Sequence, residues 1–141
     1  MAEHPRRPYQ LDSPILRRHG LTIARAGFER SLRAWPELVK QFGQRGRDQT
    51  EEDFFWHLDY LDTAVEADAP AVFEEYADWL SGLLIARGLQ ARHIAGSFEL
   101  LAEEIERLAC PPRQASHRQG LVDLLRRNRD RILGKSTALS S

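Results

Sequence analysis

Apolar side chains recur at intervals of three or four residues along most of this chain, and no segment shows the strict alternation of a β-strand. Capping, acidic or proline residues stand where these segments begin, as at Ser13-Pro14 and at Thr50. Glycine or proline stands where most of them end. The pattern predicts helices over residues 14–34, 37–42, 50–67, 70–87, 94–108 and 113–133, with a loop over 43–48.

This order of elements predicts an all-α fold. Six to seven helices of unequal length within 141 residues indicate orthogonal packing rather than a simple four-helix bundle. The length suits a single domain over residues 13–134. A flexible leader over 1–12 and a flexible tail over 135–141 are expected to flank it.

Composition and charge narrow the classes of partner. The chain has 20 basic and 21 acidic side chains, so no overall field attracts phosphate backbones or anionic membranes. The longest uncharged and mostly apolar run, Trp79–Ala86, is too short to cross a bilayer. The single cysteine, Cys110, cannot form an internal disulfide. We therefore expect a cytoplasmic protein that binds neither nucleic acid nor a membrane.

Two segments resemble bacterial haemoglobins and the globin domains of flavohaemoglobins. The first, over 14–42, contains HGLTI at 19–23 and Trp35-Pro36-Glu37, which match the family's first inter-helix turn and the start of its short third helix. Phe42 falls where the family places the phenylalanine that packs on the haem ring. The second segment, ARGLQARHIAGSFELL over 86–101, is similar to the junction after the proximal helix. The resemblance implies a globin-like fold.

The chain departs from this family where haem chemistry takes place. Leu84, four residues before Gly88, stands at the position of the histidine that binds haem iron, and leucine has no lone pair to donate. Phe28 replaces the distal tyrosine that hydrogen-bonds bound oxygen, and Glu52 falls near the other distal position. The expected cofactor is therefore none, with haem b as the alternative.

A pocket is nonetheless expected where the family holds haem. Large rings are concentrated on two successive helices, and since cores tolerate few voids, these rings are expected to leave the pocket partly collapsed. The residues expected to line it are Phe28, Phe42, Phe55, Trp56, Leu84, Ile94 and Phe98.

Two histidines remain as alternative haem ligands. His57 lies among aromatic residues on the helix that would cover a distal pocket, and His93 follows the turn at Gly88. For both, the alternative interpretation is a buried histidine satisfied by neighbouring groups. Histidine and cysteine spacing predicts no metal site. Cys110 could tether a chromophore or sense redox state, and its other interpretation is an ordinary thiol.

The sequence thus favours a haem-less, globin-like sensory or regulatory domain that is not an enzyme. It would act by binding a protein partner, by self-association, for instance as a homodimer, or by binding a small apolar ligand. The alternative is a haem-binding globin that senses or binds oxygen or NO through an unconventional axial ligand such as His57.

Overall fold

The computed structural model describes residues 11–140, and the side chains of residues 11–135. This part of the chain is helical, with no β-strand. It contains five α-helices and one short 3₁₀ turn at Pro112–Gln114, so the expected six to seven helices are not confirmed. The α-helices are α1 (Pro14–Ala34), α2 (Pro36–Glu66), α3 (Pro70–Ala86), α4 (Ala91–Glu106) and α5 (Ala115–Ser140).

The predicted loop over 43–48 is helical instead. Helix α2 runs from Pro36 to Glu66, and Gly43, with φ 66° and ψ −160°, interrupts it. Only glycine adopts this conformation without strain. The chain therefore changes direction at one residue, and α2 has a short first arm before Gly43 and a long second arm after it.

The start of α1 is fixed by a residue far away in sequence. The Ser13 hydroxyl accepts the Leu16 amide at 3.2 Å, as an N-cap does. The buried Asp62 carboxylate on α2 accepts the amides of Asp12 at 2.5 Å and Ser13 at 3.1 Å. The expected flexible leader over 1–12 includes Asp12. Residues 1–10 of this leader lie outside the described part of the chain. At the other end, α5 continues to Ser140, past the predicted end at residue 133.

The core lies between α1, α2 and α4, with α5 packed along α4. Gly27 on α1 allows close packing of the helices, since a Cβ there would lie 3.0 Å from Phe54 and 3.1 Å from Leu101. Fully buried side chains from all five helices fill this centre, including Leu16, Leu61, Phe73, Phe98, Ile105 and Leu125.

Arginine–glutamate pairs join the helices at the surface. Arg126 on α5 donates to Glu99 and Glu106 on α4, with nitrogen–oxygen distances of 2.7 to 3.2 Å. Arg30 on α1 pairs with Glu103 and, at 2.8 Å, with Glu104. Among the helices of the described chain, none is long and apolar enough to cross a membrane.

Candidate functional site

A cavity of about 620 Å³ opens on one side of the helix assembly. We call it the Leu84 cavity. Its wall combines the end of α1, both arms of α2 and the end of α3, so it is formed by segments distant in sequence. Most of the wall is apolar, and its apolar side chains are Leu32, Trp35, Leu38, Val39, Phe42, Leu84 and Leu89.

Two glycines give the cavity its shape. The break at Gly43 turns the first arm of α2 away from the second, and residues of both arms line the cavity. Gly88, with φ 102°, ends α3. A Cβ at Gly88 would lie 3.1 Å from Nε2 of Gln41 and 3.7 Å from Cζ of Phe42. The end of α3 therefore packs directly on the first arm of α2 beside the cavity.

A small recess of about 40 Å³ extends the cavity inward. It shares Trp35, Leu84 and other wall residues with the main cavity. Its additional lining residues are Phe54, His57, His93, Ile94 and Ser97. The two candidate haem ligands thus border the narrow recess and not the wide chamber.

His57 is held by a chain of hydrogen bonds within the core. Only 3% of the residue is exposed. The Ser97 hydroxyl donates to the Ile94 carbonyl at 2.7 Å, so its oxygen is left to accept from Nε2 of His57, which lies 3.5 Å away. Nδ1 then accepts from the Tyr76 hydroxyl at 2.7 Å. Burial raises the pKa of Tyr76 well above its ordinary value, which keeps this donor protonated.

His93 links the starts of two helices. Its Nδ1 accepts the Gln90 amide at 3.0 Å, which leaves the proton on Nε2, and Nε2 donates to Glu37 at 3.2 Å. A backbone hydrogen bond, followed by those from His93 and Arg92, lowers the pKa of Glu37. The Trp35 indole meets the imidazole edge-on, with ring centroids 5.6 Å apart. His93 therefore connects α4 to α2 and supports the cavity wall.

These contacts test the fit of haem. Among the residues that line the main chamber in the described chain, none is a histidine, cysteine or methionine. Leu84 itself lines the chamber, and the nearest imidazoles already bond to Tyr76, Ser97, Gln90 and Glu37. The residues present therefore do not fit haem held by an axial imidazole.

The residues expected to line the pocket divide into two groups. Phe42 and Leu84 line the main chamber, and Ile94 lines the recess. The other four lie elsewhere. Phe28 and Phe98 are core residues, Phe55 borders a separate shallow pocket beside Leu11, and the Trp56 indole donates to Glu52 at 3.2 Å.

Apart from Phe42, which lines the chamber, the aromatic residues of α2 and α3 do not fill this cavity. Tyr60 and Tyr76 stack 4.1 Å apart with nearly parallel rings, and Tyr76 contacts Phe73 and Trp79. These rings fill the interface between the two helices. Of the rings expected to collapse the pocket, only Phe54 borders the recess, and the main chamber stays open.

Sequence reasoning missed several wall residues. Trp35 was noted in the first helical segment and in the family match but not as a wall residue, and Arg45 and Arg47 were placed in a loop. Because this segment is helical, both arginines reach the cavity wall together with Arg87 from the end of α3. The helix-forming charged run between Gly43 and Thr50 was the available signal.

A group of ligand-type side chains and a free cysteine lie outside the cavity. Asp62, Glu66 and His117 bring three ligand-type atoms within 4.8 Å of one another. Asp62 already accepts two amides as a cap for α1, and Nε2 of His117 lies 3.7 Å from a Glu66 carboxylate oxygen. Cys110 is half-buried in a separate shallow pocket beside His19.

No protein-family model, curated protein or solved structure matches this chain. The function must therefore be argued from the site itself.

Proposed function

We propose that the chain is a haem-less, globin-like sensory or regulatory domain that binds a small apolar ligand in the Leu84 cavity. The observation that carries the proposal is the open chamber of about 620 Å³ with a mostly apolar wall. Its volume falls within the range of about 300–1,000 Å³ that is typical of small-molecule sites. Binding, rather than catalysis, is the role that such a wall favours.

The wall chemistry favours a hydrocarbon-rich ligand. Each methylene group moved from water into such a chamber contributes about 0.8 kcal/mol. Aliphatic wall residues such as Leu38 and Leu84 offer dispersion contacts, and the Trp35 ring offers a flat apolar surface. A short alkyl chain therefore gains enough free energy to offset a substantial part of the entropic cost of binding.

The position of the cavity provides a route from binding to regulation. A ligand that contacts both arms of α2 and the end of α3 favours the arrangement in which these segments meet. A ligand that binds one arrangement more tightly than another shifts the conformational equilibrium toward the first. Gly43 and Gly88 are the two backbone points at which the segments can reorient.

Helix α3 connects the cavity to the surface. Leu84 lines the chamber, whereas Trp79 and Ile85 on the same helix are 39% and 48% exposed. Exposed large apolar side chains such as these offer contacts to a protein partner. We propose that ligand binding alters α3 and thereby changes the affinity for a protein partner or for a second copy of the chain.

The test uses a neutral fluorescent probe, 1-aminoanthracene, displaced by 1-octanol. Leu84→Trp should project a larger ring into the chamber and weaken saturable probe binding. Ile85→Trp adds the same ring to the neighbouring exposed position and should leave binding unchanged. Absence of saturable binding to the unmodified protein, or equal loss in both variants, would refute the proposal.

A further inference from the structure

The polar groups of the Leu84 cavity are arranged asymmetrically. Arg45, Arg47 and Arg87 belong to the wall, and all three are exposed to solvent. Asp53, which is 8% exposed, also lies at the wall and borders the inner recess. Positive charge thus lies on the solvent side of the cavity, and the acidic group lies on the inner side.

The three arginines differ from those that join the helices. Arg30, Arg126 and Arg129 each contact glutamate carboxylates at the surface. Within the described part of the chain, Arg45, Arg47 and Arg87 form no ion pair with an acidic side chain. The guanidinium of Arg47 lies over the Phe28 ring, 5.9 Å from its centroid. No carboxylate of the described residues neutralises their charge, which favours pairing with an external anion.

Asp53 decides which end of a ligand faces inward. Its carboxylate accepts a hydrogen bond from the Gln49 amide at 3.1 Å within a largely buried setting. A ligand carboxylate placed beside it would meet like charge in a medium of low dielectric constant. An anionic group is consequently favoured at the outer, arginine-bearing side, and an uncharged tail is favoured inside.

We propose that the ligand is an amphipathic carboxylate whose hydrocarbon tail occupies the Leu84 cavity and whose carboxylate pairs with Arg45, Arg47 and Arg87. Guanidinium groups bind carboxylates through paired hydrogen bonds, which explains the preference for this head group. This inference rests on the proposed function and specifies the ligand class of the same site.

The experiment compares three ligands with the same tail by isothermal titration calorimetry. Octanoate should bind about tenfold more tightly than 1-octanol, and octylamine should bind more weakly than either. Raising the salt concentration should weaken octanoate binding and leave 1-octanol binding unchanged, since exposed charges are screened.

The matched variants change charge by the same amount in two places. Replacing Arg45, Arg47 and Arg87 together by glutamine should reduce octanoate affinity to that of 1-octanol. The alcohol should bind this variant as it binds the unmodified protein, which also shows that the variant is folded. The control replaces the exposed Arg18, Arg25 and Arg113, which lie outside the cavity wall, and should leave all affinities unchanged.

Each other result has a distinct meaning. Equal affinities for octanoate and 1-octanol would overturn the carboxylate inference and leave the proposed function standing. Tightest binding of octylamine would overturn it as well and would identify Asp53 as the group that selects the ligand. Failure of all three ligands to bind would overturn both the inference and the proposed function.

Discussion

The hydroxyl oxygen of Tyr76 lies 2.7 Å from Nδ1 of His57. This contact places His57, the candidate axial haem ligand, within the α2–α3 interface. Phe98 packs edge-on against the imidazole, with ring centroids 5.1 Å apart. A histidine surrounded in this way supports the core. Among the described residues, the wall of the chamber beside it presents Leu84 and no histidine, cysteine or methionine.

The first prediction concerns haem. Protein purified from haem-supplied cells should show no stoichiometric Soret band, because the described residues of the chamber wall include no imidazole. Leu84→His should increase haem uptake, since it places a nitrogen ligand on that wall. Visible spectra and iron content measure both effects. A strong Soret band in the unmodified protein that disappears in His57→Ala would support the haem-binding alternative instead.

The second prediction concerns the Tyr76–His57 contact. Tyr76→Phe removes the donor and leaves a buried acceptor, which should lower the free energy of unfolding by about 1–3 kcal/mol. Trp79→Phe, at a position 39% exposed on the same helix, should have a smaller effect. Urea denaturation provides the comparison. Equal losses in the two variants would show that the hydrogen bond contributes little.

The same tyrosine predicts a dependence on alkaline pH. Burial raises the pKa of Tyr76 in the folded state above its ordinary value of 10.0, so above that pH the unfolded chain loses a proton that the folded chain retains. Stability should therefore fall as the pH rises past about 10, and it should fall less steeply in Tyr76→Phe. If the stability of both proteins falls equally steeply between about pH 9 and about pH 11, this assignment is contradicted.

The third prediction tests the support of the cavity wall. A Cβ at Gly96 would lie 2.4 Å from Cζ2 of Trp35 and 2.5 Å from Cη2, so Gly96→Ala must displace the indole. The expected cost is about 1–3 kcal/mol, together with weaker 1-octanol binding. Gly82→Ala is the control, because a Cβ there meets nothing within 4 Å. The control should raise stability slightly through helix propensity. Similar behaviour of the two variants would argue against a close Trp35–Gly96 contact.

The fourth prediction concerns acid stability. Hydrogen bonds from the Arg126 guanidinium hold the pKa of Glu106 below its ordinary value of 4.5. This carboxylate therefore contributes stability above pH 4.5, and the contribution is lost as the pH falls through the lower, folded-state pKa. Arg126→Met should flatten this acid dependence. Arg127→Met, which removes a more exposed partner of Glu74, should preserve it. Thermal unfolding followed from neutral to acid pH distinguishes the two.

Hydrophobic periodicity was sufficient to predict an all-helical chain, because the apolar stripes and the Ser13-Pro14 cap are local signals. It failed at 43–48, where two glycines and mixed charges suggested a loop. Gly43 breaks the helix at one residue only, and the arginines that follow, Arg45 and Arg47, are good helix formers. Hydrophobic periodicity does not show whether a glycine interrupts a helix at one residue or begins a longer loop.

The candidate site was predictable only in part for a related reason. Phe42 and Leu84 were named from a family resemblance, and both line the cavity. The wall arginines Arg45, Arg47 and Arg87 were not predicted, because their position at the cavity depends on the orientation of the α2 arms. Asp62 was also missed, since its role as a cap for α1 joins residues 49 and 50 positions apart. Contacts of this kind are set by tertiary packing and leave no local pattern.

The most direct test of the central claim locates the ligand. Nuclear Overhauser contacts would be measured between bound 1-octanol and the methyl groups of protein labelled with ¹³C at leucine and isoleucine. The account predicts contacts to Leu38, Leu84 and Leu89, which line the chamber. Contacts confined to exposed residues such as Ile85 and Leu133, or no contacts at all, would contradict it.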